Sequence, residues 1–348
     1  MATNPSPSHA PSTLRVRSPS FPLEEVPRYW FGGNAIATHI TNGVCALFPA
    51  GERFFVRSVH HYLGALEGDP ELVAQVRAFC GQEGRHAQAH ERALRVLRAQ
   101  GYDVDTFLKI YEKIAFDGIE AALGPRLNLA VTAACEHYTA LMAEGALAED
   151  LLAGAHPVMR DLLLWHAAEE IEHKAVAFDV LARVAPGHAL RLAGLGLATA
   201  LLAGFWAAAT LSLLAADARE GRAPSRADAA AVRRRPRSIA RDVFWRGLRD
   251  YARRDFHPHD RDNLGLASAY LARAGLEPAH PAAAAALLKR SRRRPGTAAG
   301  GVFSARPGGA RYSTRNCSPR PAPKRSVGPE RSTSGKRNCV FRSTAELI

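Results

Sequence analysis

The stretch WHAAEEIEHKAVAFDV, Trp165 to Val180, sets five titratable residues inside an apolar helical pattern: His166, Glu169, Glu170, Glu172 and His173. On either side the pattern is carried by Leu162/Leu163, Ala177 and Val180/Leu181, the three-to-four spacing of a helix with one buried face. His166, Glu169/Glu170 and His173 interrupt that face, and then the apolar stripe resumes. An isolated buried carboxylate is costly unless a cation or a proton compensates it. The stretch therefore predicts partners from elsewhere in the chain. Glu170 and His173, three apart, point the same way.

A second segment repeats the device. In VRAFCGQEGRHAQAHERALRVL, Val76 to Leu97, the stripe runs Val76, Phe79/Cys80, Glu83, His86, His90, Leu94, Leu97. Glu83 and His86 have the same ExxH spacing as Glu170 and His173. One ExxH is common on solvated helix faces, whereas two on separate apolar stripes are far more specific. A dinuclear carboxylate bundle needs one further glutamate from each of two other helices. FPAGERFFVRSV offers Glu52 on the stripe Cys45, Phe48, Glu52, Phe55/Val56, Val59. LAVTAACEHYTALMAEGAL offers Glu136, between Ala133 and Ala140. The order is then Glu52, Glu83/His86, Glu136, Glu170/His173, which resembles the ligand order of ferritin-like di-iron proteins. Four carboxylates balance two divalent ions, and the imidazoles suit iron, manganese or zinc.

Each residue also has a plainer reading. Glu52 fits a helix N-terminus, where the macrodipole favours an acid. Glu144, eight residues after Glu136, shares its face. His90 and His166 fit either a layer behind the ligands or a satisfied core; Glu169 is a candidate for the same layer, and it or Glu172 could instead pair with His166 or a surface Arg. His137 and His60-His61 read as structural or exposed. A mononuclear zinc site from His86, His90 and His173 is a further alternative.

Around these motifs the sequence is helical from about Ile36 to Pro281, with no convincing alternating strand. Pro49 is expected in the first turn of a helix ending near Leu66. Asp69-Pro70 opens a helix to about Gln100, stopped by Gly101. Further helices are expected over about Asp105–Leu123, Arg126–Leu152 and Pro157–Val184. Residues 192–216 then run for twenty-five positions without a charge, long enough to span a bilayer. We read that segment as a buried or membrane-docked helix ahead of a true span. An amphipathic stretch, Ile239 to Arg254, leads into DFHPHDRDN, where Asp260 or Asp262 is expected to cap the next helix.

The fold expected is all-α: a ferritin-like antiparallel four-helix bundle with additional C-terminal helices. It is divided into a disordered N-terminal arm (1–27), a helical metal-binding domain (28–281) and a disordered basic tail (282–348). Residues 289–348 carry fifteen Lys+Arg against two Asp+Glu, which accounts for the whole net charge of +13. The basic balance thus belongs to the tail, and no specific nucleic-acid partner is expected. Five cysteines form no CxxC pair, and the Pro- and Ser-rich N-terminus lacks the apolar core of a secretory signal. A cytoplasmic address is expected, with membrane-surface contact through 192–216.

FPAGERFF, the paired QEGRH and AAEEIEH, and DFHPHDRDN resemble the bacterial family called predicted metal-dependent hydrolases, over about Val26 to Leu276. That resemblance implies a hydrolase. It places metal at Glu52, Glu83, His86, Glu136, Glu170 and His173, with two divalent ions, iron first and manganese or zinc as alternatives. The basic tail departs from the family. The chain has no GxSxG, P-loop, GxGxxG or HExxH motif, which argues against serine hydrolases, nucleotide folds and zincins. Di-iron oxidation of an apolar substrate and a non-catalytic metal-binding bundle are the competing functions. The expected partner is a small molecule, apolar if a membrane is touched, and a homodimer is an open assembly.

Overall fold

The computed structural model describes residues 14–149, 151–234 and 245–277. These residues are helical, and the only strand-like pairing among them is one bridge between Phe31 and Ala155. Residues 278–348, with the expected basic tail, and residues 1–13 lie outside the described set, as do 239–244 of the amphipathic stretch.

Helix α1 (Ala35–His60) starts at Asn34, whose side chain accepts from the Ala37 N–H at 2.8 Å. It begins fourteen residues before Pro49, so the expected placement of that proline in a first turn is corrected: Pro49 lies mid-helix and buried. A proline there costs a backbone hydrogen bond, about 3 kcal/mol or more. The long apolar face around it, including Cys45, Leu47, Ala50 and Phe55, offsets that cost by burial. The helix ends at His60, and Leu63–Leu66 is a separate 3₁₀ turn. Helix α2 (Pro70–Ala99) is capped by Asp69, which accepts from Leu72 N–H at 3.0 Å, and stops before Gly101, whose φ is +92°.

The expected 105–123 helix divides into three. Helix α3 (Val104–Glu112) passes into a π-helical segment, Lys113–Glu120, and then a short α4 (Ala121–Leu123). Gly124, at φ +74°, turns the chain into α5 (Pro125–Ala148), which ends before the expected Leu152. The helix expected over 157–184 is also divided, into α6 (Pro157–His173) and α7 (Val176–Val184). The break at Lys174 frees that side chain to bury its ammonium against the Arg261 carbonyl at 2.6 Å and Asn263 Oδ1 at 2.7 Å.

Helix α8 (His188–Arg219) contains the uncharged segment and crosses both α1 and α5 closely. A Cβ on Gly194 would lie 2.5 Å from the Ala130 carbonyl carbon, and one on Gly43 would lie 2.4 Å from Thr210 Oγ1. Small residues at these crossings permit the approach. The opposite face, through Ala193, Gly196, Ala200, Ala207 and Leu211, is exposed. Only 22% of the apolar window is buried, and α8 is the one helix among the described residues long and apolar enough to cross a membrane. Helices α9 (Arg226–Arg234), α10 (Arg246–Tyr251) and α11 (Leu264–Arg273) complete the described chain. Asp260 caps a 3₁₀ turn together with His257, whereas the residue preceding α11 is Asn263.

The expected disordered arm is corrected over its described part. Residues 14–27 pack on the helices, with Leu23 and Val26 in the core and Arg17 only 9% exposed. The compensating chemistry is ionic: Arg17 pairs with Glu169, Glu172 and Glu277. Helices α1, α2, α5 and α6 thus surround a polar centre, with apolar layers above and below. On α2 these are Val76 and Phe79 before it, Leu94 and Leu97 after it, all at most 5% exposed.

Candidate metal centre

Four helices deliver the six predicted ligands to one place. Glu52 comes from α1, Glu83 and His86 from α2, Glu136 from α5, Glu170 and His173 from α6. All six are buried. His173 Nε2 lies 3.1 Å from Glu83 Oε1, 3.3 Å from Glu136 Oε2 and 3.5 Å from Glu170 Oε2. His86 Nδ1 lies 3.5 Å from both Glu83 Oε1 and Glu170 Oε1. Three overlapping sets could each hold a metal ion: Glu83, Glu136 and His173; Glu83, His86 and Glu170; and Glu52, His86 and His166.

Hydrogen bonding tests whether the residues fit a metal. Both oxygens of Glu52, Glu83 and Glu136, Oε2 of Glu170, Nδ1 of His86 and Nε2 of His173 make no hydrogen bond despite full burial. Left unpaired, each such group costs about 1–3 kcal/mol, and more when charged. They approach one another at ion-pair distance without hydrogen-bond alignment, which is the arrangement a central cation satisfies. Oxygen-rich donors with two imidazoles suit a divalent transition metal.

The remaining nitrogens of the two histidines are spoken for. Gln82 donates through Nε2 to the Arg15 carbonyl and to Glu172, each at 3.0 Å. This turns Oε1 toward His173 Nδ1, 2.9 Å away, so Nδ1 carries a proton whether the ring is charged or neutral, and Nε2 faces the centre. His86 Nε2 is 2.9 Å from Glu169 Oε2, and Arg17 holds the other Glu169 oxygen at 3.0 Å. His86 Nδ1 is thereby aimed inward. Trp165 packs edge-on against the His86 ring and Phe79 against that of His173.

A histidine pair continues from the centre. His166 Nε2 is 2.8 Å from Glu170 Oε1 and 3.6 Å from Glu52 Oε1. Its Nδ1 is 2.7 Å from His90 Nε2, and Phe48 packs on both rings. Burial holds His90 well below the ordinary imidazole pKa, so this pair is uncharged at His90.

Burial and the Glu83 charge push Glu52 well above the ordinary carboxyl pKa. Burial and Glu170 push Glu136 up to about 8. Burial acts the same way on Glu170, but the His173 charge, the His166 hydrogen bond and the nearby His86 ring hold it well below the ordinary value. His86 and His173 are raised by their carboxylate neighbours despite burial.

Other candidates are placed elsewhere. Glu144 pairs with Arg261 at 2.9 Å and with Asn263, away from the cluster. His137 bonds the Gly247 carbonyl, and His60 and His61 are exposed. The His86, His90 and His173 trio does not form a site, because His90 Nε2 faces His166. Arg17 and Gln82 are not among the residues singled out in the sequence, whereas Glu172 is, and it meets Arg17 at 2.8 Å. Arg17 lies in a Ser- and Pro-rich segment with no periodic signal, and Gln82 is hidden beside the stronger Glu83.

The fold and site define a helical protein with a buried carboxylate–histidine cluster able to hold metal. Residues 15–262 match the family described as predicted metal-dependent hydrolase, and the chain belongs to that family. No curated protein and no solved structure matches it.

Proposed function

We propose that the protein is an enzyme with a dinuclear metal centre held by Glu52, Glu83, His86, Glu136, Glu170 and His173, in a ferritin-like arrangement. The observation that carries this reading is the convergence of unpaired, buried donor atoms from these six residues on one another. Glu83 and Glu170 each lie within 3.5 Å of both His86 and His173, and would hold metal together with them. Iron is the metal expected first, with manganese or zinc as alternatives.

Two divalent ions would supply Lewis-acid polarisation and a lowered pKa for water, which suits hydrolysis. The chain supplies the rest. Gln82 and the Arg17–Glu169 pair orient the two ligand imidazoles. His166 Nε2 is the group placed to hold a proton beside Glu170, and His90 stands behind it. The helical shell excludes bulk water.

A second reading, oxidation of an apolar substrate at two irons, is favoured by one observation: an apolar cavity reaches Glu52. We assign the protein to the cytoplasm, with α8 against a membrane surface, because its outward face is apolar. Elemental analysis of protein purified without chelator tests the centre. The expected result is about two metals per chain, with iron supporting the oxidative reading and zinc or manganese the hydrolytic one. Full metal content in both Glu170→Ala and Glu170→Gln would remove this residue from the centre.

A further inference from the structure

A narrow cavity of about 100 Å³ lies between α1, the π-helical segment, α5 and α8. That is below the usual range of small-molecule pockets, about 300–1,000 Å³, so only a slender chain fits it. Its walls include Phe54, Phe55, Phe116, Val131, Leu202 and Phe205, and the only charged side chains in its lining are Glu52 and Glu120. Glu52 belongs to the metal centre. Glu120, with Asn128 and Phe116, also borders an open polar depression containing Arg53, Arg57, Glu112 and Asp117. The cavity therefore has a polar mouth and a chemically reactive inner end, joined by an apolar wall.

Its shape follows from the helices. On α5 the lining extends from Asn128 to Met142, about 21 Å at the rise of an α-helix. Packed helices stand only about 8–10 Å apart, so the space is long and narrow. At the mouth, Arg57 pairs with Glu120 at 2.6 Å and Arg53 with Glu112 at 3.1 Å, with both arginines about half exposed. Exposed pairs of this kind are worth about 0–1 kcal/mol, so an anionic group can exchange partners with them cheaply. Leu201, Leu202 and Phe205 come from α8, the helix whose opposite face is exposed and apolar.

We propose that this cavity binds the hydrocarbon chain of a single-chain lipid carboxylate. The head group sits at Arg57 and the chain runs toward Glu52. The inference deepens the metal-enzyme reading by naming its substrate class, and it rests on that reading only for what happens at the inner end. The chain is held by the apolar walls, and binding does not require metal.

Gly51 provides the test. A Cβ there would meet only the Tyr111 hydroxyl, 3.7 Å away, so a larger side chain extends into the cavity without striking backbone. Leucine also favours the helix over glycine by roughly 0.5–1 kcal/mol. Dodecanoic acid is titrated into the full-length protein by calorimetry, with metal content and circular dichroism measured alongside. Wild type should bind saturably, at one site, with a negative heat-capacity change, whether loaded with metal or stripped of it. Gly51→Leu should bind at least about tenfold more weakly, with helicity and metal content unchanged. Met142→Phe, on the opposite wall, should act likewise and replaces Gly51→Leu if that variant does not fold. Arg57→Ala should weaken dodecanoic acid more than 1-dodecanol. Absence of saturable binding to wild type, or undiminished binding to both filled variants, overturns the proposal. Saturable binding to a protein that holds no metal under any condition supports the cavity and overturns the metal centre instead.

Discussion

Each of the six clustered residues carries a protonation state set by its neighbours, and together they make a neutral unit when no metal is bound. Glu83 and Glu170 are held ionised, Glu52 and Glu136 are pushed toward the neutral acid, and His86 and His173 are held protonated. Two histidinium charges then balance two carboxylates. In the proposed dinuclear centre four protons would leave, from Glu52, Glu136, His86 and His173, and two divalent ions would replace their charge. Loading at about pH 7 should therefore release up to about four protons per two ions, measurable by pH-stat titration in unbuffered solution. The same groups set the stability of the metal-free protein. Folded pKa values are raised for Glu52, Glu136, His86 and His173, so their contribution is present at low pH and lost as pH rises through the folded values. They are lowered for Glu83 and Glu170, whose contribution is lost as pH falls through theirs. The metal-free Tm should thus decline between about pH 6 and about pH 8.5, and metal should reverse the trend. A metal-free Tm that rises across this window would contradict the assigned states. At Glu170 itself, alanine and glutamine should each lower metal occupancy while helicity by circular dichroism is kept, because both are good helix formers.

Helix α8 shows how one element carries opposite demands on its two faces. Gly194 meets the α5 backbone, while Gly196, two residues on, has nothing within 4 Å. Gly194→Ala should lower stability by about 1–3 kcal/mol, since the neighbour in the way is backbone. Gly196→Ala should raise it by about 0.4–1 kcal/mol through helix propensity and the unfolded chain. Thermal unfolding of the two variants checks both signs, and equal effects would deny the close crossing. Neither glycine is distinguishable in the sequence, because an uncharged run gives no periodic sign of which face is covered. The same limit explains the other differences at this scale. The helical content was legible because the apolar stripes of α2 and α6 persist on both sides of their polar interruptions. The division after His173 was not, because it depends on Lys174 reaching Asn263, some ninety positions on. Pro49 misled for a related reason: a proline suggests a start, yet the buried face of α1 continues through it.

Across the whole molecule, two ionic knots tie distant parts of the chain together. One surrounds Asp217 of α8, which receives His39, Tyr102 and Tyr29 at 2.7, 2.8 and 3.0 Å. Asp217→Ala leaves these buried groups without their acceptor and should cost about 3–5 kcal/mol, read as a fall in denaturation midpoint. The other is Arg17, which holds Glu169 and Glu172 of α6 and Glu277 beyond α11. Arg17→Ala should leave the helices formed but free Glu169, and through it His86, lowering metal affinity by about 10–100-fold in a competition titration. Wild-type affinity in that variant would show that the clamp is irrelevant to the centre. The six residues that converge were legible from sequence as polar interruptions of apolar stripes, while Arg17 was not, since its meaning lies entirely in tertiary partners. Deleting residues 289–348 should leave metal content unchanged, because all six proposed ligands lie between residues 52 and 173. The Arg17 clamp also bears on biosynthesis. Its first member is translated near the start and its last, Glu277, some 260 residues later. At about 5–20 residues per second, Arg17 waits on the order of ten seconds or more for that partner to leave the ribosome. The six ligands are already synthesised by residue 173, so a nascent chain can gather them while the clamp is still open. Metal delivered during translation would then meet a looser centre than metal offered to the finished protein.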